Sequence, residues 1–440
     1  MNCECAYCQN KLPFEMPQEI LEATIKGKLV LFAGAGISTE NPLVFPNTFY
    51  QEIASDLNLE NANLDFPELM SKLCQQKNGR KLLLEKIFTR FKYCDRFQEI
   101  YRKATNFHSE LSSIWHIKDV VTTNWDDFFE KECDAIPMVT AEDFAFYDLP
   151  HRKVFKIHGS ISNYGSIVAT TEDYKTCYKN LNKGVIGSYL KILLATKVIV
   201  FIGYSFRDFD FNKIYNLIKK ELKNIVPHIY VVTIDQGFSS TVDSTKVTVI
   251  NTDGAFFLTA IRSHLEGNGS LFPKQNMRTV WSFMNTRQNY HQTSIDYFFS
   301  KRSTGAMYNL YYQDGLRHAF DYLVHNASSG LSYNPFHINS SIEAYKELGS
   351  RLLKEKRYED YVYVEGYIVG LHAMFYKEIA EFPFFYILGI GTVEKEDEFY
   401  DLLNNDIIYH KAGDKNARKK FPPHFDPDSK LVPHHEPFIG

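Results

Sequence analysis

The chain lacks any stretch approaching the roughly 20 uninterrupted apolar residues that a bilayer span requires. Its most apolar segment, residues 366–393, is broken by Lys377, Glu378, Glu381 and Pro383 and reads as a buried helix followed by a strand or loop. No basic-then-apolar leader pattern opens the sequence, and the seven cysteines are an odd count without a secretory framework. These absences predict a cytoplasmic protein with no membrane partner. A formal charge of −4 gives no whole-chain attraction for polyanions, so no direct nucleic-acid partner is expected. No internal repeat is visible. What is present is a globular composition, 44% hydrophobic and 15% aromatic, with 28 tyrosines and 35 phenylalanines. At 440 residues the chain exceeds what one core usually supports, which predicts two main domains.

The segment Lys28-Leu-Val-Leu-Phe-Ala-Gly-Ala-Gly-Ile-Ser38 organises the rest. Val30, Leu31 and Phe32 form a strand with no polar face, as expected in a parallel sheet covered on both sides. Gly34 and Gly36 allow a tight turn and a close approach of backbone to an anion, while Ser38 and Thr39 could cap a following helix. A plain strand-to-loop turn would use the same residues. Ahead of this strand, in an N-terminal arm of residues 1–24, Cys3, Cys5 and Cys8 form a C-x-C-x2-C cluster that would need a fourth ligand to hold zinc and reads as a reduced tail. A helix over residues 17–26 leads into the strand. Pro42 and Pro46 leave a loop after the glycine turn, followed by a helix over 48–57 and a helical stretch over 67–114 with an apolar stripe of Leu82, Leu83, Ile87 and Phe88.

Further strands end in polar punctuation. Residues 119–126 end in Thr123, Asn124 and Asp126; residues 154–159 end in His158 and Gly159; residues 197–205 end in Gly203, Tyr204 and Ser205. A helix after the last is opened by a Ser205/Asp208 capping box, and strands follow at 228–234 and 246–250. The alternation predicts a Rossmann-like, doubly wound parallel α/β domain over residues 25–265, with a site at the carboxyl ends of its strands.

Taken together, Gly34-Ala-Gly-Ile-Ser38, Thr123-Asn-Trp-Asp126 and His158-Gly159 resemble the sirtuin family in order and spacing, over about 240 residues. Gly203-Tyr-Ser-Phe-Arg-Asp208 is similar to the bacterial defence branch of sirtuin-like proteins. The resemblance implies a nicotinamide adenine dinucleotide (NAD) site, with Gly34, Ala35 and Gly36 against the diphosphate, Ser38 beside it, and Thr123, Gly203 and Ser205 completing the pocket. Two departures stand out: the four-cysteine zinc ribbon of deacylating sirtuins has no counterpart beyond the single Cys177, and Val44, Phe45 and Pro46 stand where the family carries Asp-Phe-Arg. No metal is therefore expected, and cleavage of NAD+ by water is favoured over protein deacylation or ADP-ribosyl transfer; a non-catalytic nucleotide-sensing scaffold is the third alternative. In the hydrolase reading Asn124 orients ribose hydroxyls and water, Asp126 accepts from the carboxamide and favours the developing cation, and His158, titrating near neutrality, acts as general base. Tyr204 either stacks on a base or packs.

From residue 266 to 414 the pattern becomes mainly helical, with helices expected at 307–323, 340–356 and 358–379. Residues 415–440, with five prolines, are expected to lack regular structure unless a partner orders them; His424, His434 and His435 offer a weak metal-ligand pattern there and are expected instead to face solvent or another subunit. The resemblance further implies an effector in antiphage defence, controlled by homo-oligomerisation or by a HerA-type ATPase partner.

Overall fold

The β-branched apolar runs assemble into one parallel sheet. In the computed structural model, which describes residues 9–204, 228–237, 246–405, 407–421 and 431–438, β1 (Leu29–Ala33), β2 (Asp119–Thr122), β3 (Ile136–Met138), β4 (Lys153–Lys156), β5 (Val198–Ile202), β6 (Ile229–Thr233) and β7 (Val247–Asn251) lie in the order β3-β4-β2-β1-β5-β6-β7. All neighbours are parallel; Phe32 of β1, for example, pairs with Val121 of β2 and Phe201 of β5. The central strands are buried on both faces because helices cover both, which is why their sequences show no alternation. Strand β3 was not among the expected elements. It is three residues long and carries Pro137, which an edge strand tolerates.

The chain divides into two compact units, Met1–Asn268 with Ser328–Gly330 and Gly269–Ala327 with Leu331–Gly440. In the first, α1 (Gln18–Ile25) precedes β1, and the stretch between β1 and β2 folds as α2 (Phe49–Asp56), α3 (Phe66–Cys74), α4 (Gly79–Arg96), α5 (Gln98–Ala104) and α6 (Asn106–Ser112). The continuous helical pattern is cut where Asn78 takes φ +59° and where Phe97 is extended. Capping boxes Thr48/Gln51 and Asp65/Glu68 start α2 and α3. Their core joins Phe49, Ile53, Leu69, Met70, Leu83 and Ile87, whereas Phe88, expected in the stripe, is 40% exposed. Helices α7 (Phe128–Cys133), α8 (Thr171–Lys183), α9 (Val185–Thr196) and α10 (Gly254–Gly267) are the remaining α-helices of the unit among the described residues. Cys177 on α8 is buried and its thiol donates to the Ile157 carbonyl at 3.1 Å. The arm preceding α1 lies against the end of β7: Asp253 N–H donates to Asn10 O and the Thr252 hydroxyl to Leu12 O, each at 2.9 Å. Cys3, Cys5 and Cys8 lie outside the described residues, as does the expected helix after Ser205.

The second unit is largely helical: α11 (Lys274–Lys301), α12 (Thr304–His325), α13 (Pro335–Lys354), α14 (Tyr358–His372), a β8–β9 hairpin (Phe385–Ile387, Gly391–Val393), α15 (Glu396–Asn404) and α16 (Lys411–Lys420). The 28-residue α11 was not expected. Its buried face runs Met277, Val280, Phe283, Arg287, His291, Ser294 and Phe298, so three polar residues interrupt the apolar stripe. Two further expectations are corrected. Residues 415–420 are helical rather than irregular, and His435 is withdrawn from solvent, its Nε2 2.9 Å from Asp360 Oδ1; His434 stays half exposed as expected, with its Nδ1 3.2 Å from Asp314 Oδ2. His424 lies outside the described residues.

Helices α12 and α14 meet backbone to backbone. A Cβ on Gly366 would overlap the Tyr312 carbonyl, one on Gly315 would overlap the Tyr363 carbonyl, and one on Gly370 would come within 2.5 Å of Ala319 Cβ. Gly366→Ala is therefore expected to destabilise the protein by about 1–3 kcal/mol through overpacking, read as a lowered urea midpoint at unchanged slope. A midpoint equal to wild type would show that the helices separate freely.

Candidate active site

Strand β1 lies between β2 on one side and β5 on the other, so the chain changes direction across the sheet at β1, and the crevice beyond the β1 and β5 carboxyl ends is the topological switch point. Both strands end in glycine there. Gly34 N–H donates to Ile202 O at 2.8 Å and Gly36 N–H to Gly203 O at 3.0 Å. A Cβ on Gly34 or Gly36 would stand 2.7 or 2.8 Å from Gly203 O, and Gly203 itself takes φ +76°. The three positions require glycine for these contacts. Ala35–Ile37 make one 3₁₀ turn, and the next α-helix begins only at Phe49. Ser38 thus caps no α-helix, contrary to expectation, because Pro42 and Pro46 follow; its hydroxyl instead donates to Asp126 Oδ2 at 3.1 Å.

The end of β2 is fastened to this turn. The Thr122 hydroxyl donates to Ala33 O at 2.8 Å and accepts from Asn124 N–H at 3.0 Å. Asn124 Nδ2 then donates to Gly34 O at 3.3 Å and to Ser38 Oγ at 3.4 Å, while its Oδ1, buried, has no donor among the described residues. The carboxamide is held with its donor side inward and its acceptor side unused. Asp126 is 1% exposed; Oδ1 accepts from Phe128 N–H at 3.3 Å, and its backbone carbonyl accepts from Lys156 Nζ, which also pairs with Glu130 at 2.9 Å. Burial pushes the Asp126 carboxyl up to about 6, and Lys156 opposes that rise.

His158 follows β4 and is 2% exposed, with its backbone carbonyl accepting from Val168 N–H at 3.0 Å and its ring edge-on to Tyr174 at 4.8 Å. Gly159, at φ +84°, makes the turn. The expected titration near neutrality is corrected: burial lowers the imidazole to about 3, so it is neutral at physiological pH. Tyr204 is buried, packed on Phe201 with ring centroids 5.7 Å apart, and its hydroxyl lies 3.4 Å from Thr123 Oγ1. Ser205 lies outside the described residues.

A cavity of about 1490 Å³ opens at this edge. Ala35, Gly36, Thr123, Asn124, Asp126, His158 and Gly203 line it, whereas Gly34 and Ser38 stand behind its wall. The volume exceeds the roughly 300–1,000 Å³ typical of small-molecule pockets, enough for an extended dinucleotide.

Sequence reasoning missed four wall residues. Arg90, on α4 and 6% exposed, donates to Glu52 at 2.5 Å, Glu40 at 3.2 Å and the carbonyls of Thr39 and Asn47 at 3.0 and 2.9 Å, and its guanidinium lies 4.0 Å over the Phe45 ring. It ties down the loop after the glycine turn; a charged residue one turn after Ile87 on a buried stripe was the available signal. Trp125, against Phe49 and Phe66, buries an indole N–H with no acceptor among the described residues. Asp235 beyond β6 and Asp253, which caps α10, add acceptors at the far end, where acidic residues in dinucleotide-binding sheets meet ribose hydroxyls.

Comparison with known proteins agrees with this geometry. Residues 118–247 match the SIR2-like domain family, from the residue before β2 to the start of β7. The chain is 23% identical over 352 residues to "Defense-associated sirtuin 2" of Bacillus subtilis, covering 76% of this chain and 32% of that one. It is 28% identical over 209 residues to "NAD(+) hydrolase ThsA" of Cytobacillus dafuensis and 29% identical over 216 residues to the protein of that name in Enterococcus faecium; these cover 46% and 47% of this chain and 40% and 43% of theirs. The chain thus spans less than half the length of the curated relatives it matches. Its parallel sheet, its glycine-lined switch point and these matches make the chain similar to sirtuin-like proteins, with the SIR2-like match lying over residues 118–247.

Proposed function

We propose that this protein is an NAD+ hydrolase that acts as an effector in bacterial antiphage defence. The observation that carries the reading is the buried Asn124 carboxamide oxygen, without a donor among the described residues, beside a backbone cradle of Gly36 and Gly203 at the switch point. The names of the relatives, a defence-associated sirtuin and two NAD+ hydrolases, support the same reading. No helix among the described residues is long and apolar enough to cross a membrane.

In the reaction the bond between ribose C1′ and the nicotinamide nitrogen breaks, its electron pair neutralising the pyridinium, and a water oxygen bonds to C1′ and loses a proton. The intermediate charge resembles the oxocarbenium ion of glycoside hydrolysis. In this reading the glycine turn approaches the diphosphate, where a side chain would block contact. Asn124 Oδ1 accepts from a ribose hydroxyl or from the attacking water. Ionised Asp126 favours positive charge on the sugar. Neutral His158 is ready to accept a proton without first losing one. An unrestrained hydrolase would exhaust the host's own NAD+, so control by homo-oligomerisation or by a HerA-type ATPase is part of the proposal.

Purified full-length protein, alone and with the partner ATPase, is expected to release nicotinamide from NAD+. Asn124→Ala and His158→Ala should each lower the rate about 10²–10⁴-fold while leaving the circular dichroism spectrum unchanged. Dinucleotide binding without release in either setting would instead favour a sensing module.

The pH dependence follows from the two buried groups. Asp126 must be ionised to stabilise the cation, so kcat/KM should fall about tenfold per unit below roughly pH 6, with no inflection from His158 above about pH 5. Stability should move the other way. The folded state holds the Asp126 proton more tightly than the unfolded chain, so its contribution grows as pH drops from about 6 towards 4. A rate profile flat down to about pH 5 would remove Asp126 from the mechanism.

A further inference from the structure

In the second unit, His291 on α11, Asp314 on α12 and His434 in the 431–438 segment bring three potential ligand atoms within 4.8 Å of one another. We propose that these three side chains form a zinc site, completed by water, that fastens the 431–438 segment to α11 and α12.

Three observations carry it. The first is the identity and spacing of the donors: two imidazoles and a carboxylate suit tetrahedral Zn²⁺, whose bonds of about 2.0–2.2 Å separate neighbouring ligand atoms by roughly 3.3 Å. His434 Nδ1 already stands 3.2 Å from Asp314 Oδ2. The His434 side chain is half exposed, so its ring is the one with room to close the triangle.

The second is the outer shell. Gln313 Nε2 donates to Phe384 O at 3.3 Å, which fixes the amide so that Oε1 faces His291 Nδ1 at 3.0 Å. His291 Nδ1 then carries the hydrogen, and Nε2 is the nitrogen left to ligate, the arrangement by which a neighbouring acceptor orients a metal-binding imidazole. Asp314 is oriented likewise, its Oδ2 accepting from His435 N–H at 2.9 Å.

The third is that the segment is already docked. The His435 ring stacks on Tyr363 at 4.1 Å, and Phe438 packs edge-on to the same ring at 5.4 Å, so His434 is delivered to α12 by contacts that do not involve a metal. The cluster carries no excess of negative charge, because buried Arg287, one turn before His291, faces Asp314 electrostatically. Selectivity therefore rests on coordinate bonds to nitrogen, which excludes Ca²⁺ and Mg²⁺ in favour of zinc. The competing arrangement is a plain ion pair between protonated His434 and Asp314.

The test uses the full chain with Cys3→Ser, Cys5→Ser and Cys8→Ser, so that thiolates do not compete, stripped with a chelator and titrated with Zn²⁺ against a chromophoric chelator. One equivalent is expected to bind, Co²⁺ to give the visible absorption of a four-coordinate nitrogen and oxygen site, and saturating Zn²⁺ to raise Tm. His434→Ala, at a half-exposed position, and His291→Asn should each weaken Zn²⁺ binding by about tenfold or more and abolish the Tm shift. Absence of Zn²⁺ uptake, or uptake unchanged by both substitutions, would overturn the site and leave the ion pair.

Discussion

The approach of one backbone to another at the ends of β1 and β5 is the constraint on which the first unit depends. Gly34 and Gly36 pack against the Gly203 carbonyl at distances that leave no space for a methyl group. That contact does two things at once. It lines this part of the cleft with backbone, so no side chain of Gly36 or Gly203 projects into it. It also sets Gly34 O and Ser38 Oγ where Asn124 Nδ2 reaches both, so the orientation of the carboxamide on β2 is dictated by a turn on β1. A side chain at any of the three glycines would therefore disturb binding surface and polar geometry together.

Beside that turn lies a buried polar network whose members hold one another in place. Ser38 donates to Asp126, whose backbone carbonyl receives Lys156, and Lys156, with its side chain fully buried, pairs with Glu130. Charges taken this far from water are tolerated only when paired, and removing one partner of such a pair costs on the order of 3–5 kcal/mol because the other is left uncompensated. The network explains why Asp126, despite a raised carboxyl, stays in place: its two oxygens accept from Ser38 and Phe128, and Lys156 is the nearest cation. Arg90 plays the corresponding part on the far wall, where it converts a proline-containing loop into a fixed rim by satisfying two carbonyls and two carboxylates.

What the sequence displays follows from what burial demands. β1, β2, β4 and β5 were legible because a central parallel strand must be apolar on both faces, and their polar ends were legible because the sheet collects them at one edge. β3 was not, since three residues around Pro137 carry no periodicity. Asn124, Asp126 and His158 could be picked out by type and position, but the protonation of Asp126 and His158 could not, because it is set by burial under residues distant in sequence such as Tyr174 and, for Asp126, by the opposing charge of Lys156. The lowered basicity of His158 and the inward turn of Ser38 are both of that kind. Arg90 was invisible for the opposite reason: it sits inside a helical stripe that reads as ordinary packing.

The second unit shows the same logic with polar residues used for register. The buried stripe of α11 looks imperfect alone, yet each of two interruptions meets a partner on α12. Ser294 Oγ accepts from Asn309 Nδ2 at 3.0 Å, and His291 faces Gln313. Asn309 Oδ1 in turn accepts from Tyr386 N–H at 2.9 Å, Gln313 donates to Phe384 O, and the Tyr312 hydroxyl donates to Pro383 O at 2.7 Å, so the segment leading into the β8–β9 hairpin is registered by the same helix face. Apolar contacts are non-directional and would permit α11 to slide along α12 by a turn; a buried seam of hydrogen bonds does not, because any shift strands several donors at once. On its other side α12 meets α14 through Gly315 and Gly366, where backbone contact fixes depth as the seam fixes register. Asp314, buried between the seam and the glycine contact, is thereby placed by the packing of α12, and it is to this fixed carboxylate that His434 and the His435 N–H turn.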